Sequence, residues 1–555
     1  MRRAALPLSC SLLFVLAACA EDTTSATTEE GSESSSESSG AEAGTETETG
    51  EPEPEPPPEL GGPAMGISIV AVEANQGSGV MLTEGETWIA AEDRNAKLVR
   101  DRDTLIRFQH VIDDPGAWIP RDITGFLHIY PADGSEELIR ERTFFIDEDS
   151  DPRSLETNFF FSVVAEEAKP GTQFWLELRE SDAAIDVSGL SPGVTEAPTQ
   201  PEDIGFEETS LELKIMFVPV DYRYPEEWRY PDITEDDIQL FHDYLLQQNP
   251  VQTIDIQIRD EPLIYSQQIS NLGQLLNPTR NLKNQDGAAS NVYYHALVDV
   301  NGPSVNMVAG IANLADASMA DGDRRVAATV YYKHMDPGDE ETGEEPQTFP
   351  PSQSGRTFVH EIGHNQGLSH VYCPGGNSAG DDPSYPYMDG KIGVYGFGIR
   401  DFHIYTPVHA HDYMSYCGNS WVSDWTWNKT WDRIETLTSW DYGAAPAPGP
   451  TQPVLVGTLY PDGSEDWWVF DSPAPSTGAD SQPLSLEFWA GGQLLDAVQP
   501  RVELLSDDAT LVVTAPLPPS GLDLDAIVRV DPTGRHAVEL DTIELAHGSD
   551  TILSP

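Results

Sequence analysis

The thirteen residues Phe358–His370, FVHEIGHNQGLSH, restrict what this chain can build more than any other stretch. A chain with 13 histidines in 555 residues places three of them here, at spacings of four and six. On an α-helix His360 and His364 project from one face, one turn apart. Gly367 can take the left-handed conformation that ends a helix, which turns the chain so that His370 supplies a third nitrogen. Glu361, beside the first histidine, can reach a water held by a metal on that face. Three neutral imidazoles leave the fourth zinc position to water, which marks a catalytic site rather than a closed structural one.

The five fixed positions of H-E-x-x-H-x-x-G-x-x-H match by chance in a chain of this composition with odds on the order of one in ten thousand. A helix with incidental histidines is therefore a poor account of the stretch. His360, Glu361, His364, Gly367 and His370 together resemble the metzincin zinc-peptidase signature. Metzincins also carry a methionine turn beneath the metal, and HDYMSYC supplies it with Met414. The resemblance covers residues from about 210 to 442. It implies a zinc endopeptidase acting on proteins or glycoproteins, with one catalytic zinc on His360, His364 and His370 and with Glu361 as general base. It also implies that VAGIANLA is the antiparallel edge strand along which substrate lies. The wording HEIGHNQGLSH, after a β-rich N-terminal region, is similar to the secreted mucin-cleaving metzincins. In astacin-like and serralysin-like members a tyrosine two positions past the methionine donates to the oxyanion. Tyr416 stands there, with a plain core or surface tyrosine as the rival reading.

Around this motif the patterning divides the chain. LELKIMFVPV reads as a buried strand, and TEDDIQLFHDYLLQQ has a threonine cap, early acids and helical spacing. VQTIDIQIRD, VYYHALVDV, VAGIANLA and RRVAATVYY are strands ahead of the His-rich helix, so residues 206–442 should form an α/β domain with a mixed sheet. Residues 65–205 and 454–555 set β-formers between Gly, Pro and Asp turns, and each reads as a β-sandwich; GAAPAPGPTQP at 443–453 is a linker by composition. The expected fold is thus multidomain, a metzincin-like α/β domain flanked by two β-sandwiches. Four tryptophans in WVSDWTWNKTWDRIETL are expected in the core of a helix closing the catalytic domain, with a glycan platform as the alternative.

The N-terminal residues 1–19 read as an export signal: Arg2 and Arg3, then an apolar run too short to span a bilayer, then small residues. Leu16-Ala17-Ala18-Cys19 resembles the bacterial lipobox, in which the cysteine is lipidated. Ordinary cleavage after Ala18-Cys19-Ala20 is the rival. Residues 20–64 are Ser, Thr, Glu, Gly and Pro almost throughout, and cannot bury enough apolar surface to offset their ordering entropy. The expectation is an exported chain, either a cell-surface or outer-membrane lipoprotein tethered through Cys19 or a secreted protein. A formal net charge of −63 disfavours nucleic acid and anionic membrane surfaces as partners, leaving the lipid on Cys19 as the membrane contact.

Beyond the signal, the cysteines are Cys373 and Cys417, and in an oxidising compartment two cysteines suggest one disulfide. Each lies three residues past a zinc landmark, His370 and Met414, so a bridge would staple the ligand loop to the methionine turn; a thiolate on zinc is the competing reading. SAGDDPSYPYMDG offers calcium the carboxylates of Asp381, Asp382 and Asp389, although no loop of recognised calcium spacing is present. His403, His409 and His411 read as loop histidines, with a second metal site as the rival reading. The competing functions are a surface binding or adhesion lipoprotein whose metzincin-like domain is inactive, and zinc hydrolysis of a non-peptide bond. Retention of Glu361 with all three ligands argues against an inactive domain.

Overall fold

Leu213, Ile215 and Phe217 pack on one side of the strand Glu212–Tyr222, while Val218, Val220 and Tyr222 pack on the other. A strand buried on both faces needs an almost unbroken apolar run, which is what LELKIMFVPV provides. The computed structural model describes residues 59–547 except 86, 226–227, 337–346, 376–379, 448, 474–482 and 519–523. In it this strand lies within a six-stranded mixed sheet. The order is Thr253–Ile258, Glu212–Tyr222, Val292–Val298, Val326–Val330 and Gly310–Ala312. The first four run parallel, and Gly310–Ala312 is antiparallel at the edge. Leu263–Tyr265 continues the sheet beside the Tyr222 end.

Four α-helices accompany the sheet among the described residues: α1 (Glu235–Gln248), α2 (Leu276–Gln285), α3 (Ser352–Asn365) and α4 (Asp424–Ser439). The start of α1 is set by a capping box, in which Thr234 accepts from the Asp237 N–H and the Asp237 carboxylate accepts the Thr234 N–H. The motif helix α3 packs on α1 and on Val326–Val330. Its anchor is Phe358, whose ring lies 5.3 Å from Phe217, 5.3 Å from Phe241 and 4.9 Å from His295. In α4, Trp427 and Trp431 are buried, and Trp427 Nε1 donates to the Lys97 carbonyl at 3.0 Å. Those two indoles are core.

Residues Ile67–Asp203 form two four-stranded sheets. Their inner faces meet where Gly125 of one sheet lies against Phe108 and Phe159 of the other, and where Phe144 stands edge-on to Phe159 at 5.1 Å. Residues Thr451–Leu545 form a five-stranded and a four-stranded sheet. The expected linker 443–453 ends inside the first of these strands, Thr451–Leu459. One apolar cluster runs from the N-terminal sheets through α1, α3 and α4. A second joins the other face of the mixed sheet to Val454, Val456, Phe470 and Leu505 of the C-terminal sheets. The chain is a multidomain, mostly β protein with few helices and several sheets. The expected export signal, Cys19 and the acidic stretch up to residue 58 lie outside the described residues. Among those described, no helix is long and apolar enough to cross a membrane.

Candidate metal centre

Helix α3 ends where Gly367, at φ +81°, enters the left-handed region. The Gly367 N–H bonds the His364 carbonyl at 2.8 Å and the Leu368 N–H bonds the Gly363 carbonyl at 3.1 Å, the paired closure of a Schellman motif. This turn carries the chain round so that His370 returns to the helix face bearing His360 and His364. One ring nitrogen from each of the three lies within 4.8 Å of the others, the group among the described residues able to hold a metal ion.

The outer ring nitrogens determine what the inner ones can do. His360 Nδ1 is 2.7 Å from the Tyr413 carbonyl, and His364 Nδ1 is 2.7 Å from the Leu368 carbonyl. His370 Nδ1 is 3.1 Å from a carboxylate oxygen of Asp508. These oxygens accept, so each Nδ1 carries its hydrogen and, in a neutral ring, each Nε2 presents a lone pair. Burial, with His370 nearby, pushes the His360 imidazole down to about 4. Burial and its two histidine neighbours push His364 well below its ordinary value. The Nε2 atoms of His360 and His364 face each other at 3.0 Å, and the buried His370 Nε2 has no hydrogen-bond partner. Two lone pairs pointed together and a third left orphaned are costly alone and are satisfied by a divalent cation between them. The donor set fits such an ion.

Beneath the helix lies the turn containing Met414. A Cβ on Gly363 would come within 2.4 Å of the Met414 sulfur, so only glycine between the two helical histidines allows this approach. The turn is organised by Asp412, fully buried, whose carboxylate accepts from the Met414 and Ser423 N–H groups and from the Ser423 and Thr426 hydroxyls. Val371 N–H donates to the Met414 carbonyl at 3.0 Å, tying the ligand loop to the turn. Cys373 and Cys417 are joined across the same seam, with Cα atoms 5.8 Å apart. The bridge spans a sequence separation of 44. Replacing both cysteines by serine should therefore lower unfolding stability by about 2–4 kcal/mol, read as a drop in the urea midpoint. An unchanged midpoint would show that the bridge constrains nothing.

Glu361 is buried, and one of its carboxylate oxygens accepts a 3.0 Å hydrogen bond from the Ser506 hydroxyl. Burial raises its carboxyl to about 8; the Ser506 bond works against this rise and the nearby Asp507 adds to it. Tyr416 rests its ring 4.5 Å from that of His370, and its hydroxyl donates to the Ser506 carbonyl at 3.1 Å. Ser506 and Asp508 come from the C-terminal sheets and carry no motif that could have announced them. Asp412 and Gly363 likewise stand at positions no motif specifies; the nearest signal in the sequence is the Asp-Tyr-Met run of the turn itself.

The remaining candidates are dispersed. Asp382 is taken by Lys429 at 2.7 Å and by Ser384, and with Asp381 and Asp389 it forms no metal group among the described residues. His409 faces Thr406 at 2.9 Å and His411 faces Lys391 at 2.7 Å.

No protein-family model matches the chain, and no curated protein matches it. Matching solved structures include a Paenibacillus sp. cycloisomaltooligosaccharide glucanotransferase complexed with cycloisomaltoheptaose, at 11% identity and TM-score 0.14, covering 54% of this chain and 36% of that one. Another is a calcium-binding mutant of Bacteroides uniformis beta-glucuronidase 2, at 9% identity and TM-score 0.14, covering 85% of this chain and 60% of that one. The chain spans less than two thirds of either protein's own length. At those TM-scores neither likeness bears on fold or activity.

Proposed function

We propose that the chain is an exported, metzincin-type zinc endopeptidase acting on extracellular proteins or glycoproteins. The carrying observation is the convergence of three imidazole Nε2 atoms, each held by an acceptor behind it, on the helix that also presents Glu361. Supporting it are the antiparallel edge strand Gly310–Ala312, the methionine packed under α3, and a disulfide of the kind that persists in oxidising compartments. On this reading residues 206–442 are the α/β catalytic domain, the flanking sheets are sandwiches, and Cys19 is the lipid anchor.

His360, His364 and His370 would hold the zinc ion, which would supply Lewis acidity toward the scissile carbonyl and the attacking water. Glu361 takes the proton of that water as the oxygen attacks the amide carbon, and returns it to the departing amine when the C–N bond breaks. Tyr416 Oη, which already reaches a carbonyl oxygen in the cleft, donates to the oxygen on which charge develops. Tyr416→Phe should lower kcat by about a hundredfold with little change in substrate affinity; equal turnover would make the tyrosine structural. The reading itself is tested by metal analysis and a proteome-wide cleavage profile of the purified chain. The expected result is about one zinc per chain and cleavages that disappear with chelation. A wild-type protein without zinc would overturn it.

A further inference from the structure

The edge strand Gly310–Ala312 pairs with Val326–Val330 along one side, and its other side is the rim of the sheet. Such a rim takes an extended peptide by strand addition. Here the rim is already taken by the chain itself. Ser506 donates its N–H to the Ala312 carbonyl at 3.3 Å, and its hydroxyl accepts the Ala312 N–H at 2.8 Å. The same hydroxyl bonds Glu361, and the same residue's carbonyl receives the Tyr416 hydroxyl. One residue thus occupies the strand rim, the base and the oxyanion donor together, which are the groups a substrate needs.

The segment that carries Ser506 is built to stay there. It is the turn between the paired strands Arg501–Leu504 and Leu511–Pro516 of the C-terminal sheets. Leu505 is buried in one apolar cluster with Ile311 and Val326 of the mixed sheet. At the tip, the Asp507 carboxylate accepts from the Ala509 and Thr510 N–H groups and the Thr510 hydroxyl, so the turn holds its own shape. Asp508 closes on His370.

We infer that the Leu505–Thr510 turn is a built-in plug that mimics a bound peptide and keeps the cleft of the proposed peptidase closed most of the time, lowering its activity until it is displaced. This rests on the peptidase reading for its consequence, while the occlusion of the cleft is measurable without turnover. Leu504 and Leu511 are directly paired, so replacing Leu505–Thr510 by Asn-Gly closes the hairpin with a two-residue turn and removes the plug. The zinc-loaded full chain is then titrated with a fluorescent peptidyl hydroxamate, and casein hydrolysis is followed in parallel. A cleft open only a minor fraction of the time weakens apparent affinity by that fraction, so the shortened variant should bind the probe at least about tenfold more tightly than wild type. Ser506→Gly, which keeps Leu505 and the chain length, should shift the affinity severalfold in the same direction and decides the matter if the shortened chain does not fold. Equal affinity in wild type and variants, including none in any, overturns the plug. Tighter probe binding without casein cleavage keeps the plug and removes the peptidase reading.

Discussion

Glu361→Gln is expected to keep zinc and fold while losing turnover by on the order of 10³-fold. The side chain is not among the three histidines that could hold a metal ion, and its carboxylate is bonded to the Ser506 hydroxyl. Glutamine has the same shape and its amide oxygen can still accept from Ser506, but it cannot take a proton from water. Zinc content, thermal midpoint and kcat measured on one preparation check the three parts separately. A variant as active as wild type would rule out Glu361 as the base, and with it the proposed mechanism.

His364→Ala should lower zinc affinity by more than about a hundredfold, and activity with it, because it removes a ligand rather than a group behind one. His364 is a buried member of the trio, and its Nε2 faces that of His360 at 3.0 Å. Its loss leaves two imidazoles and dissolves the point of convergence. A readout independent of catalysis is available through linkage. Zinc at a hundred times its Kd should stabilise the wild type by about 2.7 kcal/mol, seen as a rise in Tm reversed by chelator. The variant should show no such rise at the same zinc concentration. An undiminished zinc-dependent rise in His364→Ala would mean that the metal sits elsewhere.

The parts of this molecule that the sequence determined by itself are those set by short-range geometry. The four-residue spacing of His360 and His364 needs nothing but a helix to bring them to one face. The positive φ at Gly367 needs nothing but the absence of a Cβ. The two-faced apolar run of Glu212–Tyr222 requires burial on both sides wherever the strand lies. Tertiary structure alone decided what faces the site. Gly363 reads as an ordinary helix residue until Met414 is seen to pack where its side chain would be. Asp412 reads as one acid among many until three later groups converge on its carboxylate. Ser506 meets Glu361 across 145 residues, and only the pairing of Arg501–Leu504 with Leu511–Pro516 and the burial of Leu505 against the mixed sheet aim it there. Local periodicity encodes which face a residue shares with its neighbours. Which distant turn that face will meet follows from how whole sheets pack, and packing is a property of the assembled core rather than of any one stretch.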